Sequence, residues 1–455
     1  MNAMTQRESL RKKGKGVPRM MKSEGKSFGK FAFIWSGQFL SVLGSAISSF
    51  GLSVWLFEKT GEATPFAISF LCAILPSLLL SPLAGSFADR KNRKKVIMLT
   101  DSVDALLKVI LVILLFANKL QVWMVYPLMA LSSTLGTFQS PAFSASIPML
   151  VEENKLARAN GMCQLSGAAQ NMIAPVAAGA LYPLLGLKGL FLIDLFSYVF
   201  AFSTIAVTKI PQPVVQTSEA EKKKMLSTSL RDFKESFLYL RSKTKLFRAV
   251  LSFSFVNFTA NMALILFSPM ILSLYDAGTL GVGEAVMGIA MMIGAMLATV
   301  LKAPKNDYAT VYGLTTITGV GMIIGGLSPH WGVIFTGVFL FSLFVPYVNT
   351  IVHTVLQKTV EKEMLGRVMT VVSVLCQMAM PVSAVLSGFL ADRVFEPLMM
   401  PGGALAQSWV GQLLGTGVGR GIGVIYIING AMLAALCLCF FFRSLKKEQQ
   451  PDIGA

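Results

Sequence analysis

Apolar residues run along this chain in long uninterrupted stretches rather than in short alternating patterns. Uncharged runs cover residues 31–57, 63–88, 120–151, 159–187, 249–275, 368–391 and 421–442. Each meets the ~20 residues that a helix needs to cross a hydrocarbon core of about 30 Å. The run 308–357 is long enough for two crossings and breaks at Gly325-Gly326-Leu327-Ser328-Pro329-His330. Residues 96–116 and 189–208 add two more despite internal charges, and 285–301 spans if the glycine-rich stretch before it extends the helix. The pattern predicts twelve membrane-spanning helices.

Lysine and arginine orient them, because such residues accumulate in cytoplasmic loops. Of the 40 in the chain, 34 fall in the two tails and the even-numbered loops, and five (Lys59, Lys119, Lys188, Arg393, Arg420) fall on the other side. Both termini are therefore expected to be cytoplasmic, in a multi-pass protein of a bacterial plasma membrane. Run 31–57 is too long for the 7–15-residue core of a signal peptide, so it reads as the first helix. Residues 1–30 form a basic tail suited to anionic lipid.

Composition agrees. Mean hydropathy is +0.64. Hydrophobic residues make up 54% of the chain and charged ones 14%, against ~25% charge in soluble domains. This excludes a secreted disulfide scaffold, a disordered linker and a nucleic-acid-binding domain. The net charge of +17 would suggest nucleic acid in a soluble chain, but here it follows the loops. Five cysteines lie in apolar runs without a C-x-x-C pair, and there are two histidines, so no metal site is expected. Pro401-Gly402-Gly403 and Gly415-Thr416-Gly417-Val418-Gly419 lack the lysine and strand context of a phosphate loop. No cofactor and no enzymatic centre are expected.

The chain also repeats itself. Val151-Glu-Glu-Asn-Lys-Leu156-Ala-Arg158 recurs as Val360-Glu-Lys-Glu-Met-Leu365-Gly-Arg367, each before a helix with an internal proline, Pro175 or Pro381. Six helices followed by six is the expected organisation. It places bundles at 31–208 and 249–443, a linker at 209–248 and a tail at 444–455. Within the linker, residues 227–248 suit an amphipathic surface helix.

Two motifs stand at helix ends and interfaces. Gly85-Ser-Phe-Ala88-Asp89-Arg90-Lys91-Asn92-Arg93-Lys94-Lys95 joins spans 2 and 3. Gly85 allows close helix approach and Asp89 can pair with an arginine or a helix N-terminus. The stretch resembles the loop signature of the major facilitator superfamily, which implies a conformational latch made by Gly85, Asp89, Arg90, Arg93 and Lys94; the plainer reading is a basic loop with an ordinary ion pair. Ala174-Pro175-Val176-Ala177-Ala178-Gly179 is similar to the antiporter motif of that superfamily, with alanine at two glycine positions. Its Pro175 and Gly179 imply export, against a role in helix packing alone. Ile147-Pro148-Met149-Leu150-Val151, Ala159-Asn160-Gly161, Leu192-Ile193-Asp194-Leu195-Phe196-Ser197-Tyr198, Leu365-Gly366-Arg367-Val368 and Gly388-Phe-Leu-Ala391-Asp392-Arg393-Val394 resemble its macrolide-efflux-like branch. That resemblance covers about residues 30 to 443. It implies an all-α fold of two six-helix bundles and export of macrolides, siderophores or other natural products, with protons as the coupling ion.

Charges within spans cost at least ~2.5–3.5 kcal/mol each at mid-membrane and mark function by default. Asp101, Asp104 and Lys108 share one face of span 3, where Asp104 and Lys108 can pair and Asp101 can meet the basic loop. Asp194 in span 6 has no cation near it in sequence. It is either an unpaired proton carrier or the partner of a group on another helix. Asp104, Lys108 and Asp194 are the coupling candidates. Gln38, Asn257, Asn261 and Asn349 are the candidates for a substrate cavity, each with the alternative of an interhelical hydrogen bond. The sequence thus predicts a proton-driven exporter of an amphipathic small molecule. A lipid or lysolipid translocator and a non-transporting receptor or assembly protein are the alternatives. The oligomeric state is left open.

Overall fold

The computed structural model describes residues 27–90, 92–208, 233–301, 304, 306–361 and 364–448. The basic tail and most of the central linker lie outside the described residues. Among those described, helices dominate and no strand occurs. The helices are α1 (Phe28–Thr60), α2 (Ala63–Arg90), α3 (Arg93–Phe116) and α4 (Val122–Leu150). Leu156–Val207 holds two helices, α5 and α6, on either side of Gly186. Then come α7 (Thr244–Leu274), α8 (Ala277–Val300) and α9 (Asp307–Leu327). Next, α10 is built from Trp331–Leu343 and Val345–Thr359, and α11 from Leu365–Gln377 and Ala379–Phe389. The last helix is α12 (Arg420–Glu448).

The α5–α6 hairpin follows from side-chain contacts. Trp35 Nε1 donates to the Met162 carbonyl (2.9 Å) and the Tyr182 hydroxyl to Glu58 Oε2 (2.6 Å), so α1 and α5 run the same way. In contrast, Gly37 faces Thr204 while Gly51 faces Leu190, so α6 runs against α1. The chain reverses at Gly186, whose φ of 60° and ψ of −176° suit glycine far better than an L side chain. Gly37, Gly44 and Gly51 recur every seven residues on α1, and added methyl groups there would strike Thr204, Ser197 and Leu190. These absences let the two backbones touch, as in small-residue membrane helix pairs.

Prolines explain the breaks in α10 and α11. Pro346 and Pro381 cannot donate to the carbonyls four residues earlier, and the helices part at Phe344 and Met378. The glycine-rich stretch from Ala277 to Gly283 is helical, with Asp276 capping it. The eighth span therefore starts eight residues before the 285–301 core expected from hydropathy. The break at Gly325–His330 is present, with α9 ending at Leu327 and α10 starting at Trp331.

Among the described residues nine helical segments are long and apolar enough to cross a membrane, and one of them contains both α5 and α6. The more polar α3 and the proline-bearing α4 complete twelve passes. Large apolar side chains face outward along the bundle, including Phe196 and Val207 at 80% exposure. In water such a surface would aggregate; in lipid it is the solvent contact. The protein is an all-α integral membrane protein of two six-helix bundles.

Phe28 and Arg443 lie at one end of the molecule, termed the terminal face, and the other end is the far face. The bundles meet mainly toward the far face. Residues 379–389 of α11 pack on α2, whereas residues 365–377 pack on α7 of their own bundle. The second seam joins α5 to α8. Residues 233–242 form a further helix with Leu240 buried in a cluster with Leu356, Val360 and Val368, beside the terminal-face ends of α10 and α11.

Candidate functional site

Helix α3 carries the polar spine of the first bundle. Asp101, Asp104 and Lys108 share its inner face, as their spacing predicts, and the cation sits between two carboxylates. Lys108 Nζ lies 3.1 Å from Asp104 Oδ2 and 2.9 Å from Asp194 Oδ2 on α6. It also donates to Ser45 Oγ at 2.7 Å. Asp194 has no exposed surface. It accepts from Ser48 Oγ (2.5 Å) and Ser45 Oγ (3.1 Å), both on α1. Gly44 makes this reach short, because Ser197 and the Asp194 backbone occupy the space where its side chain would be. Asp104 accepts from Ser132 on α4. The structure thus gives Asp194 a partner on another helix, and the unpaired alternative falls.

Asp101 departs from expectation. Rather than meeting the basic loop, it accepts from Gln139 Nε2 (3.0 Å) and Gln38 Nε2 (3.3 Å), while Gln139 also donates to Gln38 Oε1 (3.1 Å). The span 3 carboxylate lies too deep for the loop, and two buried amides satisfy it instead. Four helices of the first bundle are joined by this ladder of hydrogen bonds. Removing polar groups from water costs heavily unless each finds a partner, and here they do.

The ladder borders two cavities. One of about 300 Å³ is lined by Ser48, Asp104, Lys108, Ser132 and Phe191, among others. Another of about 550 Å³ lies nearer the terminal face, among Trp35, Gln38, Gln139, Gln164 and Gln170. The second bundle has its own, about 250 Å³, lined by Phe253, Asn257, Asn349, His353, Cys376 and Gln377. Its walls are mostly apolar with a few amides, a lining suited to an amphipathic molecule. Asn257 and Asn349 therefore reach a cavity. Asn261 does not: it is 7% exposed and donates to the Asn257 carbonyl at 2.7 Å. One helical turn separates the two, but burial between helices takes Asn261 away from the space.

The motif around Pro175 forms the α5–α8 seam. Pro175 and Gly179 are buried. A methyl group on Gly179 would lie 2.8 Å from the Ala277 carbonyl, and one on Gly281 would lie 2.5 Å from the Pro175 carbonyl. Small residues on both helices therefore bring the bundles into backbone contact. At the other motif, Arg93 Nη1 donates to the Ala145 carbonyl (2.6 Å). Lys94 Nζ donates to the carbonyls of Ala206 (2.8 Å) and Thr208 (2.9 Å). These bonds stay within the first bundle. The side chains of Gly85, Asp89 and Arg90 lie outside the described residues.

Hydropathy missed two charged groups. Glu284, excluded by starting span 8 at residue 285, lies within α8, with the Ser268 hydroxyl 3.5 Å away. Arg420, which the charge pattern puts on the outer side, is 2% exposed and donates to the Gly326 carbonyl at 2.9 Å. Beside it, Glu396 accepts from the amides of Gly419 (3.1 Å) and Ile422 (3.2 Å) at the start of α12. A buried helix N-terminus needs such acceptors. Among the described residues no group of three metal-ligating side chains occurs.

Comparison with known proteins gives the same picture. The chain is 29% identical over 375 residues to a Macrolide efflux protein A of Streptococcus pyogenes, covering 80% of this chain and 90% of that protein. It is 26% identical to a Macrolide efflux protein A of Enterococcus faecalis over 71% of this chain and 99% of that one. In fold it matches a bacterial homolog of the human lysosomal transporter Spinster, with a TM-score of 0.64, 12% identity, and coverage of 94% of this chain and 100% of that one. Residues 34–384 match the Major Facilitator Superfamily. With that match over most of its length and a twelve-helix fold to accompany it, the chain belongs to the Major Facilitator Superfamily of membrane transporters.

Proposed function

We propose that this transporter exports an amphipathic small molecule of the macrolide or natural-product class, in exchange for protons, by alternating access between residues 31–208 and 249–443. The observation that carries the proposal is the Asp104–Lys108–Asp194 cluster at the edge of a cavity. Two carboxylates and one ammonium leave a formal charge of −1, so uptake of one proton makes the cluster neutral. A neutral cluster is cheaper to hold in a dry bundle than a charged one. Substrate entry and proton release can then be linked through the same helices, α1, α3 and α6.

Several features support the direction of transport. Lysine and arginine are concentrated in the tails and even-numbered loops, which adjoin the terminal-face ends of the helices, and the charge rule supports a cytoplasmic position for that face. Both amide-bearing cavities lie toward it, and the seams between the bundles lie toward the far face. That is the arrangement of an inward-facing state waiting for cytoplasmic substrate. Relatives named for macrolide efflux support the substrate class. In the opposite state, Gly85, Asp89 and Arg90, with Arg93 and Lys94, would serve as the cytoplasmic latch.

The driving force is adequate. One proton crossing 100 mV releases ~2.3 kcal/mol, and a tenfold proton gradient adds about 1.4 kcal/mol. Together they sustain a gradient of roughly several hundredfold on a neutral solute. The test is accumulation of erythromycin in cells with and without the protein. Lower accumulation that a protonophore abolishes is expected. Unchanged accumulation across macrolides and fluorescent amphiphiles, with movement of labelled lipid instead, would replace this reading with lipid translocation.

A further inference from the structure

The pattern Gly85-Ser86-Phe87-Ala88-Asp89-Arg90 has a second copy, Gly388-Phe389-Leu390-Ala391-Asp392-Arg393. The first ends α2 at the terminal face. The second lies where α11 reaches the far face, in a π turn over Leu390–Phe395. There the Asp392 side chain crosses from the second bundle to the first. Its Oδ1 accepts from the Ala63 amide at 2.8 Å and its Oδ2 from the Thr64 amide at 2.6 Å. These are the first two residues of α2, whose amides have no carbonyl of their own helix to bond. The residue before them is Glu62, a poor cap compared with Ser, Thr, Asp or Asn. The first bundle therefore leaves the N-terminus of α2 for a carboxylate of the second bundle, placed where the helix dipole also favours it.

Packing makes the contact specific. A methyl group on Gly388 would lie 2.8 Å from Thr64 Cα and 3.1 Å from Ala67 Cβ. Ala391 and Ala384 have no exposed surface. Separation of the two helices would break both hydrogen bonds and this close approach at once.

We propose that Asp392 is the far-face latch of the transport cycle, holding the α2 N-terminus in the state described here and releasing it when the cavity opens to that side. The inference rests on the alternating-access reading above. Water can take over both amides and the carboxylate after release, so the latch can reopen and reclose. The repeated pattern puts one such aspartate at each end of the α2–α11 pair.

Hydrogen–deuterium exchange on the full chain in lipid nanodiscs tests this without a substrate. Asp392→Ala is expected to raise exchange several-fold at residues 63–70 and 277–285, on both far-face seams. It should also lower exchange several-fold at residues 160–170 and 365–377, which become covered as the terminal face closes. Asp392→Asn keeps the shape and one acceptor, and should shift both regions in the same directions by less. Loss of a simple helix cap would affect only the first turn of α2, so a change confined there, or no change, overturns the latch. Transport by the wild-type protein is measured separately: its absence would remove the proposed export function, while the exchange result would still decide the latch.

Discussion

Lys108 and Asp194, which are 86 residues apart in sequence, meet at 2.9 Å between α3 and α6. The contact places a cation between two carboxylates within the polar ladder of the first bundle. Its partners come from α1, α3, α4 and α6, so a change of charge here is felt by four helices.

Lys108→Met leaves Asp194 fully buried without its cation. Breaking a buried pair by removing one partner typically costs about 3–5 kcal/mol. The two serine hydroxyls that remain on Asp194 place the expected loss at about 3 kcal/mol. Lower thermal stability in detergent and lower membrane yield would display it. Asp194→Asn should be milder, because Lys108 keeps Asp104.

The α5–α8 seam has no room for a larger side chain. Gly281→Leu forces atoms against the Pro175 carbonyl, and overpacking of this kind costs about 1–3 kcal/mol. Imposed on one state only, that shifts the balance toward the opposite opening by roughly 5- to 150-fold. Substrate transport should fall while membrane abundance stays near wild type, as read by uptake assays and immunoblot.

Asn349 lines the second-bundle cavity. Loss of one substrate hydrogen bond is worth about 1 kcal/mol, so Asn349→Ala should raise KM about fivefold. Asn261→Ala, at a site turned away from that cavity, should leave KM unchanged for the same substrates.

At the start of α8, Asp276 Oδ1 accepts from the amide and hydroxyl of Thr279, both at 2.8 Å. Those bonds hold its carboxyl below the usual carboxylate range. A lowered folded value means the stabilisation is present above the unfolded value near 3.9 and fades as pH falls through the folded one. Asp276→Ala should cost about 0.5–1 kcal/mol at pH 7, with the gap to wild type closing below about pH 4. Denaturation in detergent at both pH values reads it.

Much of this architecture is visible in the residues themselves. Long apolar runs give the spans, Gly325–His330 gives the α9–α10 turn, and the i, i+4 spacing of Asp104 and Lys108 gives their pair. Contacts between distant helices are not visible. Nothing local to Asp194 points to Lys108, and nothing near Asp101 points to Gln139. Glu284 was hidden because glycines lower hydropathy and suggest a turn, although packing against α5 and α10 keeps Ala277–Gly283 helical. Arg420 looked like a loop residue because its burial comes from the Gly326 carbonyl, far away in sequence. The Asp392 contact was hidden similarly, since its partners are backbone amides that carry no side-chain signal.

Proton coupling is the central claim, and purified protein in liposomes tests it most directly. An inside-acid pH gradient is imposed, and both erythromycin uptake and internal pH are followed against protein-free vesicles. The account predicts uptake above that control, with substrate-dependent proton efflux, and loss of both in Asp194→Asn despite normal reconstitution. Uptake that ignores the gradient, and is equal in Asp194→Asn, would contradict it.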